Sequence, residues 1–335
     1  MKSELEECRV KGKTTKVRCI RIADKEVMIT GKWAKTAVIK DEELYEKRAV
    51  ESAEIFVRLL RQSAVKADIF SFAQKPAERE PKFDYYMELD NSAVIPIKDF
   101  SDWWEDRLSQ DTRRNVRKAA KLGVAVKIVP FNEELIRGIM EIYNETSVRQ
   151  GRPFWHFGKS VEEVTNETAT YLDRSEFIGA FHKDELIGFI KLIYVDCYAR
   201  VIHILSKEEH LEKRVNNALI AKAVEICAQK GLSYLVYCKY IYGKNDKSPL
   251  TEFKRRNGFE QMLHPRYFVP LTLKGRIILG LRLHRGLSGV LPSNLLSFLS
   301  GLRTRFFEFS ERRRRTATAR ALPEAGALKS SNPLH

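Results

Sequence analysis

The sequence predicts a mixed α+β fold, and three observations carry that expectation. Between residues 175 and 271 the chain reads strand, strand, strand, long helix, strand, short helix, strand. Along that stretch the hydrophobic repeat switches from two residues to between three and four and back again, the change expected when strands give way to an amphipathic helix. Residues 16–89 carry a fainter copy of the same order, so two such units in tandem are expected.

From the N-terminus, residues 17–22, 26–30 and 37–39 read as short strands between charged turns. Residues 43–61 form an amphipathic helix that buries Leu44, Ala53, Phe56, Leu59 and Leu60. Strands at 68–72 and 84–89 flank a proline-containing loop, 75–82, and another strand follows at 94–97. Asp99 and the FSDWW run begin a helix, and a basic helix at 112–122 ends at Gly123. Arg113, Arg117 and Lys121 lie four apart and share a face, with Arg114 and Lys118 alongside. Like charges at this spacing repel, so the helix gives up some stability to hold them together. They read either as a solvated basic face or as a face for a phosphate-bearing ligand. A strand at 124–129 leads into a helix at 133–149. The loop 149–157 then joins Arg149, Arg152, a glycine, a proline and three aromatics, Trp155 among them, before a helix at 161–172. That loop reads as a ligand cover or as a plug between units.

The second half is stronger. Strands at 177–181, 186–195 and 199–205 are separated by the charged turn 182–185 and by Asp196-Cys197, tight connections suited to antiparallel neighbours. Leu211, Val215, Ala218, Leu219, Ala223 and Ile226 then recur at helical spacing, with a capping-box pattern at Ser206 and Glu209 and a stop at Gly231. A strand at 234–238 follows, expected parallel to its predecessor through a right-handed crossover.

This order resembles the acyltransferase fold of the GCN5-related N-acetyltransferases (GNAT). LTEFKRRNGF at 250–259, with Phe253-Lys254 ahead of Gly258-Phe259, is similar to the FemAB-like branch, which includes peptidoglycan-bridge aminoacyltransferases and BioF2-like acetyltransferase domains. DTRRNVRKAAKLGVAV at 111–126 and SVRQGRPF at 147–154 resemble two further motifs of that branch, in the same order. The resemblance implies a degenerate N-terminal unit at 1–110 and an acyltransferase unit at 111–271. It also implies a reaction centre where strands 200–205 and 234–238 splay apart. Around that centre the candidate catalytic residues are Lys254, as a cationic donor, with His203, Asp196 and Tyr237. The candidate substrate-binding residues are Arg113, Arg117, Lys121, Arg149, Arg152, Trp155 and Tyr240. Read without the family, His203 is a structural strand histidine and Asp196 a turn residue. The family's glycine-rich pyrophosphate loop is missing: residues 206–210 read Ser-Lys-Glu-Glu-His, with two carboxylates at the positive end of the expected helix. The expected donor is therefore an aminoacyl-tRNA, with acyl-CoA kept open. The expected acceptor is an amine of a cell-envelope saccharide or peptidoglycan precursor.

Bulk properties agree with an anionic partner. The 335-residue chain carries a formal net charge of +15, and residues 272–320 hold eleven lysines and arginines against two glutamates. Basic residues alternate with leucine, isoleucine and phenylalanine through 272–310, which reads as a segment for an anionic membrane surface. Residues 311–335 are expected to be disordered. Five scattered cysteines suggest buried thiols and no metal. Without an apolar run long enough to span a bilayer or a signal-peptide core, the expected location is cytoplasmic, peripheral on the inner membrane face. The rival expectation is a catalytically silent protein of this fold that binds RNA or anionic lipid.

Overall fold

The computed structural model describes residues 3–10, 13–45, 50–63, 66–243 and 246–285. Most of the expected membrane segment, 286–310, and the expected disordered tail, 311–335, lie outside the described residues.

Strands β1 (Ser3–Val10), β2 (Lys13–Ile22), β3 (Lys25–Thr30) and β4 (Thr36–Ile39) form an antiparallel meander. Helix α1 (Ala53–Gln62) buries Ala53, Phe56, Val57 and Leu60, and the chain returns as β5 (Ile69–Ala73), parallel to β4. Phe56 stacks on Phe70 at 5.2 Å, so helix and sheet share an aromatic core. The expected strands at 84–89 and 94–97 are one continuous strand, β6 (Met87–Pro96). Helix α2 (Phe100–Asp102) passes into a π-helical turn, Trp103–Arg107, and α3 (Gln110–Lys121) is capped by the Ser109 hydroxyl.

The second half opens with β7 (Ala125–Val129) and α4 (Glu133–Asn144). The small ribbon β8 (Val148–Arg149) and β9 (Arg152–Pro153) follows, and then α5 (Val161–Thr168). Strands β10 (Ser175–His182), β11 (Glu185–Val195) and β12 (Tyr198–Ser206) form the meander read from the sequence. Helix α6 (Val215–Gln229), β13 (Tyr234–Val236), α7 (Pro249–Arg256), β14 (Glu260–Pro270) and α8 (Leu273–Gly280) complete the chain.

One boundary differs from the capping-box expectation. Ser206 is the last residue of β12, residues 208–213 form a 3-10 turn, and α6 starts at Val215 after Arg214 in the left-handed region (φ 57°). The amides of Glu208 and Glu209 find their acceptor on Glu145 at the end of α4, a tertiary contact that no local pattern encodes.

The twelve main strands form one sheet in the order β1-β2-β3-β4-β5-β14-β6-β13-β12-β11-β10-β7. Each half contains a meander, a crossover helix and a parallel strand, and the two last strands then change places. β6 leaves β5 and pairs with β13, whereas β14 leaves β13 and pairs with β5; at the centre β6 and β14 pair antiparallel with each other. The Gly-Phe of the sequence motif serves this centre. Gly258 sits at φ +81°, where an added Cβ would fall 2.9 Å from the Trp103 indole nitrogen, and Phe259 is buried beside α6.

Candidate active site at the opening between two parallel strands

Strands β12 and β13 run in parallel register for three pairs, Tyr198 with Tyr234, Ala199 with Leu235 and Arg200 with Val236. Beyond that point β13's continuation turns to β6. The Tyr237 N–H donates to the Ala93 carbonyl (2.8 Å), and the Cys238 carbonyl accepts from Ala93 N–H (2.9 Å). Meanwhile β12 continues to Ser206 against β11 alone, with Ile202 bulged between Val201 and His203. The two ribbons therefore separate where the sequence places the reaction centre.

Lys254 reaches this opening from α7. It is fully buried, and its ammonium donates to the Lys239 carbonyl (2.5 Å). The ammonium also stands 4.6 Å from the Tyr237 ring and 5.0 Å from the Tyr242 ring. Burial pushes it down to about 8, so at neutral pH it is still mostly a cation, though a poorly hydrated one. The aromatic faces compensate part of the lost hydration. Burial also raises the Tyr237 phenol, which leaves it protonated. Tyr242 is at once a neighbour of Lys254 and a wall of a cavity of about 210 Å³ at the centre of the sheet, together with Arg200, Cys238, Asn91 and His264.

The other sequence-derived residues lie elsewhere. His203 is opposite Lys191 on β11, with the Phe189 and His156 rings 6.3 Å and 6.0 Å away. Burial, helped by the charges of His156 and Lys191, pushes its imidazole down to about 3, so it is neutral and too weak a base to deprotonate an ammonium at neutral pH. Asp196 sits in the β11–β12 turn at φ 47° and pairs with Lys75, which lines the same cavity from the first half. Tyr240 is half-buried, and its carbonyl accepts from the Thr251 hydroxyl (3.4 Å). On α3, Arg113 donates to the Trp104 and Glu105 carbonyls (2.9 and 2.6 Å), Arg117 lies over the Trp104 ring (5.6 Å), and Lys121 is exposed. In the 149–157 loop Arg152 is exposed, and Trp155 is exposed beneath the Lys159 ammonium (3.8 Å). Of the eleven candidates, the opening thus gathers Lys254 and Tyr237. Tyr242 and Arg200 join them without having been singled out.

Two arrangements were out of reach of the sequence. The first is Glu145, at the end of α4, whose carboxylate accepts from the consecutive backbone N–H groups of Glu208 (2.7 Å) and Glu209 (2.9 Å). Arg149 holds it there (3.0 Å) while donating to the Ser206 and Ile142 carbonyls (3.0 Å each). The amides that follow β12 are therefore saturated by an internal carboxylate. The second lies in the corresponding opening of the first half. β4 and β5 also run parallel for three pairs, but past them the Glu42 carboxylate takes the Ala73 N–H (3.1 Å) and pairs with the half-buried Arg266 guanidinium (2.5 Å), which also holds Asp90 (2.9 Å). Burial raises the Glu42 carboxyl, against the pull of Arg266, whereas Arg266 and Lys239 hold Asp90 well below the carboxylate range despite its burial. This ion triad occupies the first opening and lines the same cavity that Arg200 and Tyr242 wall on the side of the second, with Lys254 behind Tyr242.

Among the described residues one group has metal-ligand spacing, Glu185, Glu209 and His210. The Lys207 ammonium sits among these carboxylates, paired with Glu185 and 3.9 Å from Glu209, so the place a cation would take is filled by the chain itself. No helix among the described residues is long and apolar enough to cross a membrane.

No family model matches the chain. The spermidine N(1)-acetyltransferase of Thermoplasma acidophilum is 31% identical over 103 residues, which are 30% of this chain and 62% of that relative, so the chain spans less than two thirds of the relative's length. Among solved structures, FemX superposes with a TM-score of 0.54 at 11% identity, covering 83% of this chain and 90% of FemX. L-PGS from Bacillus licheniformis gives 0.53 at 15% identity, covering 80% and 88%. At these identities the likeness is one of fold, and it covers about four fifths of the chain.

Proposed function

We propose that this chain, which has the two-unit GNAT fold of FemX and L-PGS, is a FemAB-like N-acyltransferase. It moves an acyl or aminoacyl group from an activated ester onto an amine of a cell-envelope saccharide or peptidoglycan precursor at the cytoplasmic membrane face. The observation that carries this reading is Lys254: a buried cation beside the strand opening, behind the Tyr242 wall of a cavity. As the amine attacks, negative charge collects on the carbonyl oxygen, and a fixed donor in a water-poor site stabilises that charge far more than water does. The cavity walls hold the two reactants in line. As the new N–C bond forms and the ester C–O bond breaks, the amine's proton passes to the departing oxygen, directly or through water, because His203 is too weakly basic to take it.

Glu145 supports an aminoacyl-tRNA donor over acyl-CoA. The backbone amides that would receive a pyrophosphate in this fold already hold a carboxylate, and two further carboxylates, Glu208 and Glu209, surround the place. A tRNA needs no such loop and suits a basic surface. The likeness to a spermidine acetyltransferase keeps acyl-CoA as the second reading. The discriminating experiment is intact-mass analysis of an aminosugar or stem-peptide acceptor after incubation with charged tRNA or acetyl-CoA. The expected gain is one aminoacyl residue from tRNA; no added mass with either donor would sink the assignment.

A further inference from the structure

We infer that α8 and the 31–34 turn form a docking face for an anionic lipid bilayer. This deepens the membrane-face part of the reading above and rests on the described surface, not on the residues beyond 285.

Helix α8 is held firmly against the first half. The Thr272 hydroxyl caps its Gly275 N–H (3.0 Å) and donates to the Asp68 carboxylate (3.1 Å), and Ile278 and Leu279 pack with Ile69. A Cβ at Gly275 would lie 1.9 Å from the Asp68 carbonyl, so the helix backbone rests directly on the strand. With that face fixed inward, Leu273, Ile277 and Leu281, four residues apart, point outward at 73, 55 and 64% exposure. Trp33, 60% exposed, stands beside them; the Lys274 ammonium lies over its ring (5.2 Å) and donates to its carbonyl. The turn carrying Trp33 closes only with glycine at position 31, at φ +88°, where a Cβ would meet the Ala34 carbonyl at 2.1 Å.

Four large apolar side chains held in water on rigid elements call for a covering partner. Their surroundings choose among partners. Lys32, Lys35, Arg276 and Arg282 are exposed around them, Lys274 is exposed and paired with Asp68 (3.4 Å), and neither 31–36 nor 272–285 contains an aspartate or glutamate. A second copy of this chain would bring those cations against one another. A bilayer with anionic headgroups accommodates both features at once: apolar tips and an indole at the acyl boundary, cations at the phosphates.

The full-length protein is cosedimented with vesicles of phosphatidylglycerol and phosphatidylcholine, with vesicles of phosphatidylcholine alone, and with the anionic vesicles at high salt. Salt-sensitive binding to the anionic vesicles alone is expected. It should weaken at least tenfold in Leu273→Ser/Ile277→Ser/Leu281→Ser and severalfold in Trp33→Ala, with unfolding temperatures kept. Serines at 312–315 should leave most of the binding in place. Equal binding to neutral vesicles, wild-type binding by the triple variant, or a dimer that the triple variant dissolves would each overturn the inference. Because vesicle binding and acyl transfer are read separately, either conclusion can fail alone.

Discussion

At the scale of single residues the functional reading turns on Lys254. Its depressed ionisation follows from burial between Tyr237 and Tyr242, with no carboxylate beside it to hold the proton. The cation is the form that can donate to an oxyanion. kcat/KM should therefore rise with pH as the acceptor ammonium loses its proton and turn downward above about pH 8, because deprotonation of Lys254 removes the donor. Were the neutral Lys254 amine a base instead, the downward limb above pH 8 would be missing, and Lys254→Met would remove a rising limb rather than that fall, so pH series of the two proteins separate the roles. Replacing the donor, as in Lys254→Met, should lower kcat by about 10²–10³, the usual effect of losing one oxyanion-hole contact. Methionine keeps the length and apolar stem, so the fold should survive, which a thermal melt would verify. Lys254 was visible in the sequence through its position ahead of Gly258-Phe259. Tyr242 and Arg200 were not, because nothing local marks a tyrosine in a loop or an arginine on a strand as facing a cavity assembled from both halves.

Elements were legible wherever one face is buried against a neighbour close in sequence. The meander of β10, β11 and β12, the apolar face of α6 and the basic face of α3 follow from periodicity, and the structure has them. The start of α6 was misread because its determinant is tertiary. Ser206 and Glu209 have capping-box spacing, yet the amides of Glu208 and Glu209 bond to Glu145, more than sixty residues earlier. A carboxylate can accept both N–H groups, whereas an amide side chain accepts one and turns its NH₂ against the other. Glu145→Gln should consequently destabilise the protein by about 1–3 kcal/mol, the worth of a lost hydrogen bond to a charged acceptor and a weakened pair with Arg149, seen as an unfolding temperature lower by several degrees. An unchanged melt would mean that these amides are satisfied otherwise. The same saturation predicts that free coenzyme A leaves the wild-type melt unmoved; a clear rise would favour the acyl-CoA donor.

For the molecule as a whole, the decisive feature is the exchange of β6 and β14, which no sequence period encodes because both strands look alike whichever half they join. Each half lends its last strand to the other, and the two strands pair along eight registered positions, from Glu260 with Val94 to Tyr267 with Met87. Arg266, on β14, pairs with Glu42 from the first half and with Asp90 on β6, so the triad spans the exchange. Separating the halves would strip β5 and β13 of a neighbour each and leave buried charges without partners, which costs several kcal/mol per ion. Expressed apart, residues 1–110 and 111–335 should each be insoluble or poorly folded. Coexpressed as two chains, they should copurify and melt in a single transition, with circular dichroism close to that of the intact protein. Arg266→Met, which takes the ion-pair partner from Glu42 and leaves Asp90 with Lys239 alone, should lower stability by about 3 kcal/mol without splitting the transition in two. Independent folding of either half, or two separate transitions in the intact chain, would show that the exchanged strands do not bind the halves into one cooperative body, and the cavity beside Lys254 could then not be treated as a rigid site.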